Sequence, residues 1–151
     1  MSAPSRPRLE FDHVGIAVED LEAARDRYSK LLGLEPSPIE EVSEENVRVC
    51  FFDLGNCRIE LLEGTTPKSP VRRFLERGGR GVHHISLALR GGNLEEWLAA
   101  LSEKGVDTIR DSEGREVRSG SQGSKVAFLH PRAADGVLIE YSSPGSPEAD
   151  E

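Results

Sequence analysis

Bulky residues alternate with small or polar ones over residues 11–18, which read Phe-Asp-His-Val-Gly-Ile-Ala-Val. A period of two is typical of a β-strand, because successive side chains point to opposite faces. The bulky residues form one face, and the other face carries His13, Gly15 and Ala17. The pattern therefore predicts a strand with one bulky face and one small face.

A helical pattern follows this strand. Asp20 is suited to cap a helix whose apolar residues recur at helical spacing until Gly33, a residue that commonly ends helices. The segments after the helix are short and rich in residues that favour strands. They predict strands at 39–43, 47–54 and 57–62, with a Gly55-Asn56 hairpin turn between the last two.

The same order of elements recurs about seventy residues later. Residues 82–89 alternate as residues 11–18 do, and Asn93 is suited to cap a helix that stops near Gly105. Strands are predicted at 125–129 and 136–141. The chain is thus predicted to be an α+β domain of two tandem βαβββ modules. Its predicted divisions are a disordered segment 1–8, a single domain 9–142 (module one 9–66, linker helix 67–80, module two 81–142) and a disordered acidic tail 143–151.

Each module carries a histidine on its first strand and a glutamate on its last. These residues are His13 and Glu60 in module one, and His84 and Glu140 in module two. Two modules related by a pseudo-two-fold axis would bring all four side chains to one centre. Two imidazoles and two carboxylates suit a divalent ion such as Co, Ni, Mn or Zn. The repeat therefore predicts a metal site.

Each of these residues also has an ordinary interpretation. A strand histidine is often a core or surface residue, and a glutamate near a strand end is usually solvated. The repetition favours the metal site, because an unpaired carboxylate in an apolar strand is costly. The other two histidines, His83 and His130, are interpreted as non-ligands, since strand alternation turns His83 to the face opposite His84.

Composition narrows the classes of function. The chain has 151 residues and a formal net charge of −8, which argues against general binding to nucleic acids or to anionic membranes. No apolar run approaches the roughly 20 residues that span a bilayer. The first residues show no apolar signal segment, so a cytoplasmic protein is expected.

Characteristic motifs occur in six segments, which are residues 12–18, 54–56, 59–63, 81–85, 125–131 and 136–140. Together these segments resemble the vicinal oxygen chelate superfamily, which includes glyoxalase I, extradiol dioxygenases and antibiotic-resistance binding proteins. Within it, the sequence resembles the methylmalonyl-CoA epimerase family. The resemblance implies a cupped mixed β-sheet around a divalent metal ion, usually in a homodimer. It also implies that His13, His84 and Glu140 are metal ligands, with Glu60 where epimerases have Gln or Glu.

The activity implied by the resemblance is interconversion of (2R)- and (2S)-methylmalonyl-CoA by proton transfer at C2, through a metal-stabilised enolate. Glu140 is the first candidate base. Some epimerases have a second glutamate where this chain has Val49. The second base is therefore either Glu60, or Glu44 or Glu45 from the preceding loop.

A CoA ester carries several phosphates, which an acidic chain must bind with a local basic segment. Arg115, Arg118 and Lys125 lie in a glycine-containing segment whose backbone amides can approach an anion. They are the tentative CoA-binding residues. The alternative is that this segment is only an exposed polar loop.

Two other functions stay open from the sequence. One is a glyoxalase I-like isomerase that uses the same residues on a hemithioacetal. The other is a metal-free protein that binds a small molecule, although such a protein needs none of the four predicted ligands. An extradiol dioxygenase is disfavoured because its two His and one Glu leave Glu60 without a role.

Overall fold

The computed structural model describes residues 7–144, which form two compact units. One unit comprises residues 12–85, and the other combines the described residues up to Phe11 with those from Ser86 onward. Arg8 already lies in the first strand, and Ser143 ends the last one. Of the two segments predicted to be disordered, residues 1–6 and 145–151 lie outside the described residues.

Strands and helices follow one another in the predicted α+β order, and the fold class is confirmed. The helices are α1 (Leu21–Leu32), α2 (Pro70–Glu76) and α3 (Leu94–Glu103). The strands are β1 (Arg8–Ala17), β2 (Glu40–Val42), β3 (Val47–Asp53), β4 (Arg58–Gly64), β5 (Gly81–Arg90), β6 (Arg118–Ser119), β7 (Lys125–Leu129) and β8 (Ile139–Ser143).

The pairing of the strands is mixed. In the unit of residues 12–85 the strand order is β2-β3-β4-β1-β5, with β1 parallel to β4 and β3 antiparallel to both β2 and β4. In the other unit the order is β5-β8-β7-β6, and β7 is antiparallel to β8 and β6. Strands β1 and β5 each contribute residues to both units.

Both long helices begin at the predicted capping residues. The Asp20 carboxylate accepts a hydrogen bond from the Ala23 amide, and the Asn93 side chain accepts one from the Glu96 amide. These bonds satisfy amides that have no partner inside the helix. Helix α1 ends at Gly33, whose φ of 67° is a left-handed conformation that glycine adopts without strain.

Each unit has its own apolar core. In residues 12–85, α1 packs on one face of the strands around Leu21, Phe52 and Leu61. Helix α2 packs on a second cluster that includes Val49 and Phe51. In the other unit, the apolar face of α3 covers β7 and β8; its buried residues are Leu89, Leu94, Leu98, Ala127, Leu129 and Tyr141.

Strand β6 was not among the predicted strands. It has only two residues and pairs with the start of β7, where Arg118 lies opposite Val126. A segment this short has no detectable alternation of polar and apolar residues. Within residues 7–144, none of the helices combines the length and the apolar character needed to cross a membrane.

Candidate metal centre

One face of β1 carries small buried residues beside a histidine. His13, Gly15 and Ala17 alternate along this face and are all buried. Strand β4 lies parallel to β1 with Glu60 opposite Gly15, so the Glu60 side chain shares the face of His13. Glu60 is only 5% exposed although it carries a carboxyl group. Strand register thus brings the two predicted ligands of module one together.

His84 from β5 completes a group of three converging side chains. Its Nε2 lies 3.2 Å from Nε2 of His13. Oε1 of Glu60 lies 3.1 Å from the His13 nitrogen and 3.3 Å from the His84 nitrogen. All three side chains are buried. The structure therefore gathers three of the four predicted ligand residues within one unit.

The facing nitrogen and oxygen atoms of His13, His84 and Glu60 need a proton or a cation between them. Nδ1 of His13 lies 2.6 Å from the Asp12 carboxylate, which is the distance of a strong hydrogen bond. In a neutral imidazole that proton leaves Nε2 with a lone pair, which faces the Glu60 oxygen. Two acceptors at 3.1 Å repel each other unless a proton or a metal ion lies between them. Two imidazole nitrogens and a carboxylate oxygen fit a divalent ion.

Gly15 leaves the space that the His84 ring occupies. A Cβ atom added to Gly15 would lie within 2.7 Å of both ring nitrogens of His84. Ordinary contact begins near 3.4 Å, so no larger residue fits without moving the ring. The sequence indicated a small face on β1, and in the structure the space beside Gly15 is occupied by the His84 ring.

Neighbouring polar groups hold both imidazoles. Arg58 donates a 2.6 Å hydrogen bond to the Asp12 oxygen that also binds His13. Nδ1 of His83 lies 3.0 Å from Nδ1 of His84. His83 was predicted to lie on the face of the strand opposite His84, yet the two rings are in contact through these nitrogens. Sequence reasoning missed these contacts, although Asp12 and His83 directly precede His13 and His84.

The electrostatics of the centre keep its carboxylates charged. Burial alone would raise the pKa of Glu60, but hydrogen bonds with His13 and His84, which place a proton between ring nitrogen and carboxylate in the metal-free protein, outweigh burial and hold that pKa below its usual range. Burial also opposes ionisation of Asp12, whose hydrogen bonds with His13 and Arg58 nevertheless lower its pKa to about 2. Desolvation is the main cause that lowers the pKa of His83 to about 4, with a smaller electrostatic contribution from the adjacent His84, so this ring is neutral near pH 7.

Glu140 lies in the other unit, on β8 opposite Phe128 of β7. It is 7% exposed, which is unusual for a glutamate. Its position in module two corresponds to that of Glu60 in module one, because each follows an isoleucine on the last strand of its module. The burial of both carboxylates agrees with the repeat found in the sequence.

The sequence matches the Glyoxalase/Bleomycin resistance protein/Dioxygenase superfamily over residues 12–128. The chain belongs to this superfamily. The resemblance predicted from the motifs is confirmed.

Three proteins illustrate which superfamily members this chain is similar to. The uncharacterized protein YqjC of Bacillus subtilis is 42% identical over 134 residues, which cover 89% of this chain and 91% of that protein. The ethylmalonyl-CoA/methylmalonyl-CoA epimerase of Cereibacter sphaeroides is 38% identical over 134 residues, covering 86% and 94%. A solved structure of methylmalonyl-CoA epimerase in complex with methylmalonyl-CoA and NH4+ is 34% identical, with a TM-score of 0.78 and coverage of 91% and 95%.

The basic residues predicted to bind CoA in this superfamily member differ in their surroundings. Arg118 is buried, donates a hydrogen bond to the Ile109 carbonyl and lies 5.5 Å from the centre of the Phe128 ring. The Arg115 guanidinium is exposed and lies 2.9 Å from the Asp111 carboxylate. Lys125 is exposed, with its Nζ 3.6 Å from a carboxylate oxygen of α3. Of the three side chains, those of Arg115 and Lys125 are accessible to a ligand.

The candidates for the second base also differ. Val49 is 1% exposed and packs in the core below α2, so this position offers no proton-transferring group. Glu44 and Glu45 lie in a single 3-10 turn between β2 and β3, and Glu44 is exposed. Glu60 is the buried carboxylate of this unit beside both histidines.

A cleft of about 650 Å³ opens at the end of β1 and β4, next to α2. Its charged lining consists of two guanidinium groups and three carboxylates, and Arg48 is already bound to Glu22 and Glu63. This balance of charge gives a polyanion such as a CoA tail no net attraction. The charged residues that line the cleft are Glu19, Arg48, Glu63, Arg72 and Glu76.

Proposed function

We propose that this superfamily member is a metal-dependent methylmalonyl-CoA epimerase, which interconverts the (2R) and (2S) forms by moving one proton at C2. The observation that carries the proposal is the buried convergence of His13, His84 and Glu60 at 3.1–3.3 Å. The epimerase names of similar proteins support the choice of substrate.

The proposed metal ligands are His13, Glu60, His84 and Glu140. His13, His84 and Glu140 are all buried, and each offers one atom of a kind that binds divalent ions. Glu60 adds a carboxylate oxygen that already lies beside both histidine nitrogens. When bound, Co, Ni, Mn or Zn would supply Lewis acidity toward the substrate oxygens. The four residues would hold the ion and exclude bulk water from it.

The C2 proton of methylmalonyl-CoA is acidic because its loss leaves charge that spreads onto the thioester carbonyl. Epimerisation requires that the proton be removed on one face and returned on the other. We assign Glu140 as one base. Glu60 is the other in this proposal, although its lowered pKa makes it a weak base in the metal-free protein. Glu44 and Glu45 are the alternatives to Glu60.

Arg115, Arg118 and Lys125 are the proposed CoA-binding residues. The exposure of Arg115 and Lys125 supports contact with phosphate, whereas the hydrogen bond of Arg118 to Ile109 supports a role in holding the segment. Assembly as a homodimer and a cytoplasmic location stay predictions from the sequence and the resemblance.

Exchange of the C2 proton with solvent tests the reaction directly. The protein is loaded with Co(II) and incubated with (2R)-methylmalonyl-CoA in heavy water, and deuterium at C2 is followed by mass spectrometry. We expect deuterium incorporation together with formation of the (2S) form. Absence of exchange from folded, Co(II)-loaded protein would refute the epimerase proposal.

Substitutions of the two neighbouring histidines form a matched pair. His84→Ala is expected to lose both metal binding and exchange, because it removes a ligand. His83→Ala, one residue away, is expected to retain the metal with weaker affinity, because it removes only the 3.0 Å contact to Nδ1 of His84 and no predicted ligand. Equal loss of metal in both variants would contradict the assignment of His84 as the ligand.

The role of Glu140 as a base is tested separately. Glu140→Gln should reduce the exchange rate much more than it weakens binding of the CoA ester. A variant that binds metal and exchanges the proton at the normal rate would show that another group is the base.

Isomerisation of methylglyoxal plus a thiol, without exchange of methylmalonyl-CoA, would instead favour the glyoxalase I-like function.

A further inference from the structure

We propose that Asp12, fixed in place by Arg58, is a positioning residue that sets the ring orientation and tautomer of His13. The inference rests on the proposed function, because it assigns His13 as a metal ligand. Asp12 makes no contact with the donor atom Nε2 in this assignment. It acts through Nδ1, on the opposite side of the imidazole ring.

Strand register brings the three side chains together. Arg58 of β4 lies directly opposite His13 of β1, and Asp12 precedes His13 on the same strand. One carboxylate oxygen of Asp12, Oδ2, lies 2.6 Å from Nδ1 of His13 and accepts a 2.6 Å hydrogen bond from Arg58. Because this one atom joins both partners, a shift of Asp12 would disturb the two contacts together.

Arg58 is itself held by an aromatic ring. Its guanidinium carbon lies 4.1 Å from the centre of the Phe51 ring, a distance at which a cation and an aromatic face attract each other. The same Phe51 ring meets the His13 ring edge-on, with 5.6 Å between the ring centres. His13 is thus bounded by Asp12, through a hydrogen bond, and by Phe51, through packing.

The contact with Asp12 selects one chemical form of the imidazole. A carboxylate accepts but does not donate, so the one proton of a neutral His13 imidazole resides on Nδ1 and the Nε2 lone pair is available to a metal. A carboxylate partner also raises the basicity of a ligand histidine. Loss of such a partner typically weakens metal binding by about 10–100-fold. His84 has a neutral partner, His83, in the corresponding place, so the two ligand histidines are supported differently.

Asp12→Asn tests the inference, with Glu10→Gln as the matched control. Glu10 lies two residues earlier on β1 and is exposed, with its nearest guanidinium atoms at 3.5 Å and 3.6 Å. Co(II) is titrated into each protein and followed by its visible absorption. We expect Asp12→Asn to weaken Co(II) binding by about 10–100-fold. Glu10→Gln should bind as the unmodified protein does.

The tautomer of His13 is a second readout, which would not change in Asp12→Asn if Asp12 had only a structural role. Long-range ¹H–¹⁵N NMR spectra of the metal-free protein, recorded at a pH high enough for the His13 imidazole to be neutral, distinguish a proton on Nδ1 from a proton on Nε2. We expect the Nδ1-protonated form for His13, and a shift toward the other form in Asp12→Asn. Arg58→Gln, which leaves the carboxylate but frees it, should show a smaller change of the same sign.

The possible outcomes separate the two proposals. Unchanged Co(II) affinity and an unchanged His13 tautomer in folded Asp12→Asn would overturn the positioning role, while the epimerase proposal would stand. Failure of the unmodified protein to bind Co(II) would instead refute the metal site. The tautomer measurement would still decide whether Asp12 orients His13, because it needs no metal.

Discussion

Replacing Gly15 with alanine tests whether the space beside β1 determines the position of the His84 ring. The new methyl group would lie within 2.7 Å of both ring nitrogens and closer still to Cε1, so the ring must retreat by more than about 1 Å to reach ordinary contact. Overpacking of this kind typically costs about 1–3 kcal/mol. We therefore expect Gly15→Ala to lower the free energy of unfolding of the metal-free protein by that amount.

Gly15→Ala is also tested in the His84→Ala variant, which lacks the imidazole ring. Removal of the imidazole removes the three atoms that lie nearest to the new methyl group. Gly15 does not have a positive φ, so alanine is compatible with its backbone and should stabilise the protein by about 0.4–1 kcal/mol through the unfolded state. The same substitution is thus expected to change sign between the two backgrounds.

A double-mutant cycle measures this coupling. Urea unfolding of the four proteins is followed by far-UV circular dichroism in the presence of a chelator, so that metal binding does not contribute. The expected coupling between Gly15 and His84 is roughly 1.5–4 kcal/mol, the sum of the two effects above. An equal cost of Gly15→Ala in both backgrounds would refute the claim that the two residues compete for one space.

Three further predictions concern parts of the chain away from the centre. Leu98→Ala should lower the free energy of unfolding by about 2–5 kcal/mol, because it empties a fully buried position under α3, while the exchange activity per folded molecule stays unchanged. Asp20→Ala should cost about 0.5–2 kcal/mol in urea unfolding by removing the cap of α1. The hydrogen bond from the backbone amide of Arg115 is the first cause of the lowered pKa of Asp111. Burial opposes this effect, and hydrogen bonds from the Arg115 side chain and the Glu113 amide add to it. The amides of Glu113 and Arg115 should therefore be fully protected against hydrogen exchange above pH 3.8. This protection should be lost as the pH falls through the lower pKa of Asp111 in the folded state.

Much of the fold follows from local patterns in the sequence. The repeat of an alternating strand, a capped helix and further strands predicted the two modules, because each signal extends over only a few residues. Asp20 and Asn93 cap their helices as expected, since capping depends on chemistry within one turn. The pair of His13 and Glu60 was also predictable, because a repeated polar residue on an apolar strand is costly without a partner.

The support of the centre could not be predicted in the same way. The contact of Arg58 with Asp12 depends on the register of β1 against β4, which spans 46 positions of the chain. The reason for glycine at position 15 depends on a ring from β5, which the sequence does not place beside it. Strand β6 is too short to show a pattern. The second base is undecided by the sequence because Val49 replaces the expected carboxylate.

The outermost strands affect how this protein behaves at high concentration. The strand order ends with β2 in one unit and β6 in the other, and these strands have three and two residues. Strands that short expose few unpaired backbone groups, and β2 also carries two glutamates. Growth of fibrils by addition of strands from other copies is therefore disfavoured at both edges. Association between copies would instead have to use side-chain surfaces.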